Sequence, residues 1–159
     1  MSLEADGAGV VSRAVAKATL RLGPEDSGDA FAQMGACGLP IYLYFRYALA
    51  REAVREISSV AGGIRAAFIF LENRCQEFPG EPIRVGIVVS QRTAALVSLV
   101  EAVREAVSRE VRAKIPGLGS YRSLLTFELL DDEATRKRIG LAAMIDSIYE
   151  PPIKIWPEE

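Results

Sequence analysis

Four consecutive residues, Ser90, Gln91, Arg92 and Thr93, sit between a β-branched run and the longest amphipathic stretch of the chain. The first N–H groups of a helix have no helical acceptor, and its dipole leaves a partial positive charge there. Two hydroxyls, a carboxamide and a guanidinium at that point suit an anion or a phosphorylated ligand. In open α/β sheets, a turn that follows a buried strand lies where ligands bind. No G-x-G-x-x-G or Walker-type loop is present, so the sequence specifies no nucleotide. The plainer role for Ser90 or Thr93 is to cap the helix.

Asp131 and Asp132 occupy the matching position after a second strand-like stretch. Adjacent carboxylates there can hold Mg²⁺, but they are also what a helix N-terminus attracts, and Glu133 continues that pattern. A third acid is missing from the same end, because Asp146 and Glu150 belong to the far end of the helix expected to follow. Arg136, Lys137 and Arg138 form the densest basic cluster; with Arg109, Arg112, Lys114 and Arg122 it can be drawn as a phosphate-binding face. Three successive helical residues spread over roughly 200°, however, so they do not all point one way. With a net charge of −2 and a pI of 5.4, nucleic acid ranks behind a solvated helix surface for this cluster.

Tyr42, Tyr44, Phe45 and Tyr47 crowd a turn and a half of helix in a segment that is apolar nearly all round, Arg46 excepted. A helix apolar on every side is buried on every side. It therefore runs through the middle of the domain or meets another subunit, and Tyr is common at such interfaces.

The chain contains no histidine. That removes Ser-His-Asp and Cys-His catalysis and every His-containing zinc site. An enzyme here has to rely on carboxylates, Lys, Tyr, a bound metal or positioning, so the reading leans away from an enzyme and implies no cofactor. Cys37 and Cys75 read as inert buried thiols in a reducing cytosol or as a bridge. The bridge gains weight from composition: 15 Arg against 4 Lys, one Asn and three Gln are what adaptation to heat produces. Genomic base composition produces the same Arg bias.

With 159 residues, half hydrophobic and a quarter charged, the chain fits one globular domain with a full core. Glu4 and Asp6 stand where a secretory signal carries positive charge, and no apolar run approaches the ~20 residues of a membrane span. A cytoplasmic protein without membrane contact is the expectation.

The elements that must position these residues follow from glycine and proline punctuation. Residues 1–9 read as a flexible N-terminus. A short stretch, 12–22, places Val11, Val15, Ala18 and Leu22 on one helical face, although its alternation also permits a strand. A second short helix is expected over 29–36. Pro40 suits the first turn of a long helix whose stripe is Leu43, Tyr47, Ala50, Val54, Ile57 and Ala61. Arg51, Glu52, Arg55 and Glu56 fall opposite. Gly62 and Gly63 break or bend it, and the spacing of Ile64, Phe68, Leu71, Cys75 and Phe78 continues it over 64–78.

After Gly80 the texture changes. Residues 84–89 are a strand buried on both faces; 93–115 form the strongest helix; 123–129 alternate as a half-buried strand. A helix from Asp131 or Asp132 to about Tyr149 and a final strand at 153–156 complete the pattern. The expected fold is α/β or α+β and helix-dominated, with a helical half (10–80) covering a small, mainly parallel βαβαβ-type sheet of about three strands (81–156). The leading functional expectation is a non-enzymatic interaction module, self-associating (a homo-oligomer) or a small subunit of a larger assembly. The alternative is a domain that binds an anionic ligand or nucleic-acid phosphates through Ser90 to Thr93 and nearby Arg.

Overall fold

The structure is a computed structural model, and it describes residues 3–22, 39–70, 82–114 and 125–157. The expected helix at 29–36, Cys37 and Cys75 lie outside the described residues. In chain order the elements are α1 (Leu3–Leu22), α2 (Leu39–Val60), β1 (Ile64–Phe70), β2 (Ile83–Val89), α3 (Ala94–Lys114), β3 (Leu125–Leu130), α4 (Asp132–Lys137), a 3₁₀ helix (Gly140–Met144) and β4 (Ile153–Trp156). Among the described residues no helix is long and apolar enough to cross a membrane.

The strands form one mixed sheet of order β3-β2-β1-β4, which corrects the expected three-stranded, mainly parallel sheet. Among the described residues only β2 and β3 run parallel, with Ile83 opposite Leu125 and Val88 opposite Leu130, and α3 lies in the crossover between them. β1 is antiparallel to β2 on one side and to β4 on the other. The chain after β3 thus returns to the opposite edge of the sheet and adds no second parallel neighbour.

Residues 64–70, expected to be helical, are strand β1. Ile64-Arg65-Ala66-Ala67-Phe68-Ile69-Phe70 is short, rich in bulky residues and apolar on both sides: Ala67 and Ile69 enter the main core, while Phe68 and Phe70 join a second cluster. Such a run satisfies a helical spacing and a doubly buried strand equally well. Gly63 decides the matter locally. Its φ of +85° belongs to the left-handed region, so the chain turns here.

The main core draws on α1, α2, α3 and all four strands. α1 is a helix, and residues 3–9, expected to be loose, are its first turns. Val10, Val11, Ala14, Val15 and Ala18 are buried, while Ser12, Arg13, Ala16 and Lys17 face out, a helical period that packs along both α2 and α3. α2 is enclosed on several sides: Phe45, Leu49, Ala50, Ala53 and Ile57 are buried, and so are Arg46, Glu52 and Glu56. The side of α2 expected to be solvated is in part covered by α1.

Glu56 shows how that burial is tolerated. Its carboxylate accepts a 2.6 Å hydrogen bond from Arg13 Nε and another from Lys17 Nζ, both on α1. Burial alone raises the carboxyl pKa, but the hydrogen bonds and charges of Arg13 and Lys17 outweigh it and hold the group below its ordinary value. A folded-state pKa below the unfolded one stabilises at neutral pH, and that stabilisation is lost as pH falls through the folded value.

The second face of the sheet carries a smaller cluster of Phe70, Leu130, Leu141 and Ala142, with Phe68, Val88, Met144 and Ile145 packed against it. The helix expected over 132–149 ends instead at Lys137, and Arg138 takes a left-handed conformation, φ 52°, at its C-cap. Stopping there lets Leu141 and Ala142 turn onto the sheet in the 3₁₀ helix. The Glu128 carboxylate fastens that turn by accepting the Leu141 N–H at 3.2 Å. At the centre lies Gly86, where a Cβ would stand 2.6 Å from Phe70 Cε2 and 3.1 Å from Leu130 Cδ1.

Two outcomes follow from this packing. Gly86→Ala is expected to lower unfolding stability by about 1–3 kcal/mol through overpacking, and Phe70→Leu in the same chain should recover part of that loss; strictly additive effects in denaturant melts would show that Phe70 is not the obstacle. Glu56→Gln is expected to cost about 1–2 kcal/mol at pH 7, less than a fully buried pair because Arg13 and Lys17 are half-exposed. The difference from wild type should shrink as pH falls below about 4.3, where unfolded Glu takes up its proton. A pH-independent difference would mean the ion pairs contribute nothing.

Candidate ligand cleft

β2 ends at Val89 and α3 begins at Ala94, so Ser90, Gln91, Arg92 and Thr93 form the connecting turn at the carboxyl end of the strand. Ser90 faces back into the fold: its N–H and its hydroxyl both donate to the Gly63 carbonyl, at 2.9 and 3.2 Å. These two hydrogen bonds tie the turn to the one between α2 and β1. Gly63 accommodates the approach, since a Cβ there would lie 2.9 Å from Ser90 Oγ. Thr93 caps α3, its Oγ1 accepting the Leu96 N–H at 3.2 Å and its carbonyl the Val97 N–H at 3.0 Å. Gln91 and Arg92 are exposed, and neither makes a hydrogen bond or ion pair among the described residues.

Between the two turns lies a cleft of about 370 Å³, at the lower end of the range for small-molecule sites. Leu96 and Leu99, both buried, form its apolar base together with Ala61. Ser90, Gln91 and Thr93 line one wall and Gly62 and Gly63 the other. Arg92 shares the turn but does not line the cleft. The N–H groups of Ala94 and Ala95, in the exposed first turn of a 21-residue helix, have no helical acceptor. They and the helix dipole favour negative charge at this spot.

Asp131 and Asp132 leave the sheet at the same end, because β3 runs parallel to β2. Both have partners there. Asp131 is the N-cap of α4, its carboxylate accepting the Ala134 N–H at 2.7 Å. Asp132 receives Arg65 through Nη1 at 2.7 Å and Nη2 at 3.3 Å, a bidentate pair on the surface. Among the described residues no group of three or more Asp, Glu or Cys is placed to hold a metal ion. Neither aspartate lines the cleft.

The basic cluster is exposed and divided. Lys137 Nζ pairs with Glu133 at 2.6 Å, and Arg138, at the left-handed cap, lies 3.7 Å from Asp146. Arg136 has no ion pair among the described residues. Arg109 is exposed on α3, while the Arg112 and Lys114 side chains and Arg122 lie outside the described residues. Of the aromatic turn, Phe45 is buried and Tyr47 half-buried against the main core; the Tyr42 and Tyr44 side chains lie outside the described residues.

Sequence reasoning missed Gly63, Leu96 and Leu99 as cleft residues, and Arg65 as the partner of Asp132. The two leucines carry a signal, since they sit on the buried face of a helix whose start was marked. Gly63 and Arg65 carry none, because their positions depend on a strand pairing between distant segments. Comparison with protein-family models, with characterised proteins and with solved structures finds no match to this chain.

The two roles weighed for Asp131 separate by substitution. As a cap, Asp131→Ala should lose about 1 kcal/mol of unfolding stability while Asp131→Asn loses little, since Asn caps equally well. A stabilisation by Mg²⁺ in wild type that both variants abolish would instead assign the carboxylate to a metal.

Proposed function

We propose that this chain binds a small anionic or phosphorylated ligand in the cleft between the α2–β1 and β2–α3 turns. The observation that carries the reading is that Ser90, Gln91 and Thr93 line one ligand-sized cleft at the start of α3. Gln91 and Ala95 line it with a carboxamide and a main-chain N–H, and the Arg92 guanidinium and the Ala94 N–H belong to the same turn beside it. Ser90 and Thr93 shape the wall and hold the helix start in place.

Phosphate at ~100 times its dissociation constant should stabilise wild type by about 2.7 kcal/mol through mass action. Excluded salts stabilise proteins generally, so the measurement is a set of melts of wild type, Gln91→Ala and Arg92→Ala in identical phosphate and chloride buffers. Both variants should gain less from phosphate than wild type does. Equal gains in all three would remove the site.

A second reading, a module that self-associates or joins a larger assembly, is favoured by a different surface from the expected one. Phe45 belongs to the core, but Ile148 is 83% and Tyr149 90% exposed, with Ile139 and Ile153 about half-exposed on the same C-terminal segment. Large apolar residues this exposed mark interaction sites when they form a patch. Light scattering at micromolar concentration should then give a mass above one chain, and Ile148→Asp with Tyr149→Asp should return it to the monomer without unfolding. A monomeric mass at every concentration would rule out self-association.

A further inference from the structure

We draw no further inference here: the strongest candidate, the exposed pair Ile148 and Tyr149 between the 3₁₀ helix and β4, already carries the second reading above, and nothing in the structure shows which partner surface covers it.

Discussion

β2 is apolar towards both sides of the sheet, and the rest of the fold answers that constraint. Ile83, Val85, Ile87 and Val89 all enter the helical layer, while Val88 and the bare backbone of Gly86 meet the opposite cluster. A strand of this kind is stable only where both faces are covered. α2 and α3 cover one face, and α1 packs along both of these helices. Among the described residues the second receives no long helix, and the segment after β3 supplies cover from a few residues. Leu141 and Ala142 do this, and burying a side chain the size of Leu is worth roughly 1.5–3 kcal/mol. The early end of α4, the left-handed Arg138 and the Glu128 hydrogen bond to Leu141 all serve that placement.

The helical layer meets a different difficulty. α2 is enclosed widely enough that three charged residues, Arg46, Glu52 and Glu56, are buried with its apolar ones. A buried charge is tolerable only when paired and hydrogen-bonded. Arg46 and Glu52 each have a partner, with Glu52 Oε1 3.8 Å from Arg55, but Arg46 Nε and Glu52 Oε2 are buried without a hydrogen bond among the described residues. Glu56 depends on α1, which brings Arg13 and Lys17 with the same helix that brings Val10, Val11, Ala14 and Val15. Apolar packing and charge pairing therefore select one register of α1 on α2. A rotation that exposed the valines would also leave the Glu56 carboxylate without its cations.

What the sequence shows of this follows from how local each feature is. β2, β3, β4 and α3 are legible because period, capping and punctuation lie within each segment, whereas α1 is legible only in part, since 12–22 also permits a strand and its first turns read as loose. β1 is not, since Ile64, Phe68 and Leu71 fit a helix until the pairing of Ile64 with Val89 is known. The sheet order is illegible for the same reason: the last strand pairs with β1, whose local pattern reads as helix. The place of the turn from Ser90 to Thr93 is legible, because it joins a strand and a helix that are adjacent in sequence. The other wall of the cleft comes from residues 60–63, brought there by antiparallel pairing that no local pattern encodes. The aromatic turn is a case of two open readings, and the buried Phe45 favours passage through the interior.

The proposed site is also chemically narrower than its composition implies. Of the two hydroxyls at the turn, Ser90 donates its proton to the Gly63 carbonyl, and Thr93 accepts the Leu96 N–H as a cap. A ligand that displaced either contact would loosen the junction with β1 or uncap α3, a loss of about 1 kcal/mol for the cap alone. The Thr93 hydroxyl, an acceptor in the cap, keeps its proton to donate, and beyond it recognition under the proposed reading falls to groups the fold does not use: the Gln91 carboxamide, the Arg92 guanidinium and two main-chain N–H groups. All but the carboxamide are pure donors, which selects a ligand rich in acceptor oxygens. The base of Ala61, Leu96 and Leu99 offers only apolar surface. Because Leu96 and Leu99 are already 4% and 2% exposed, that base selects little, and under the proposed reading discrimination rests on the donors along the wall.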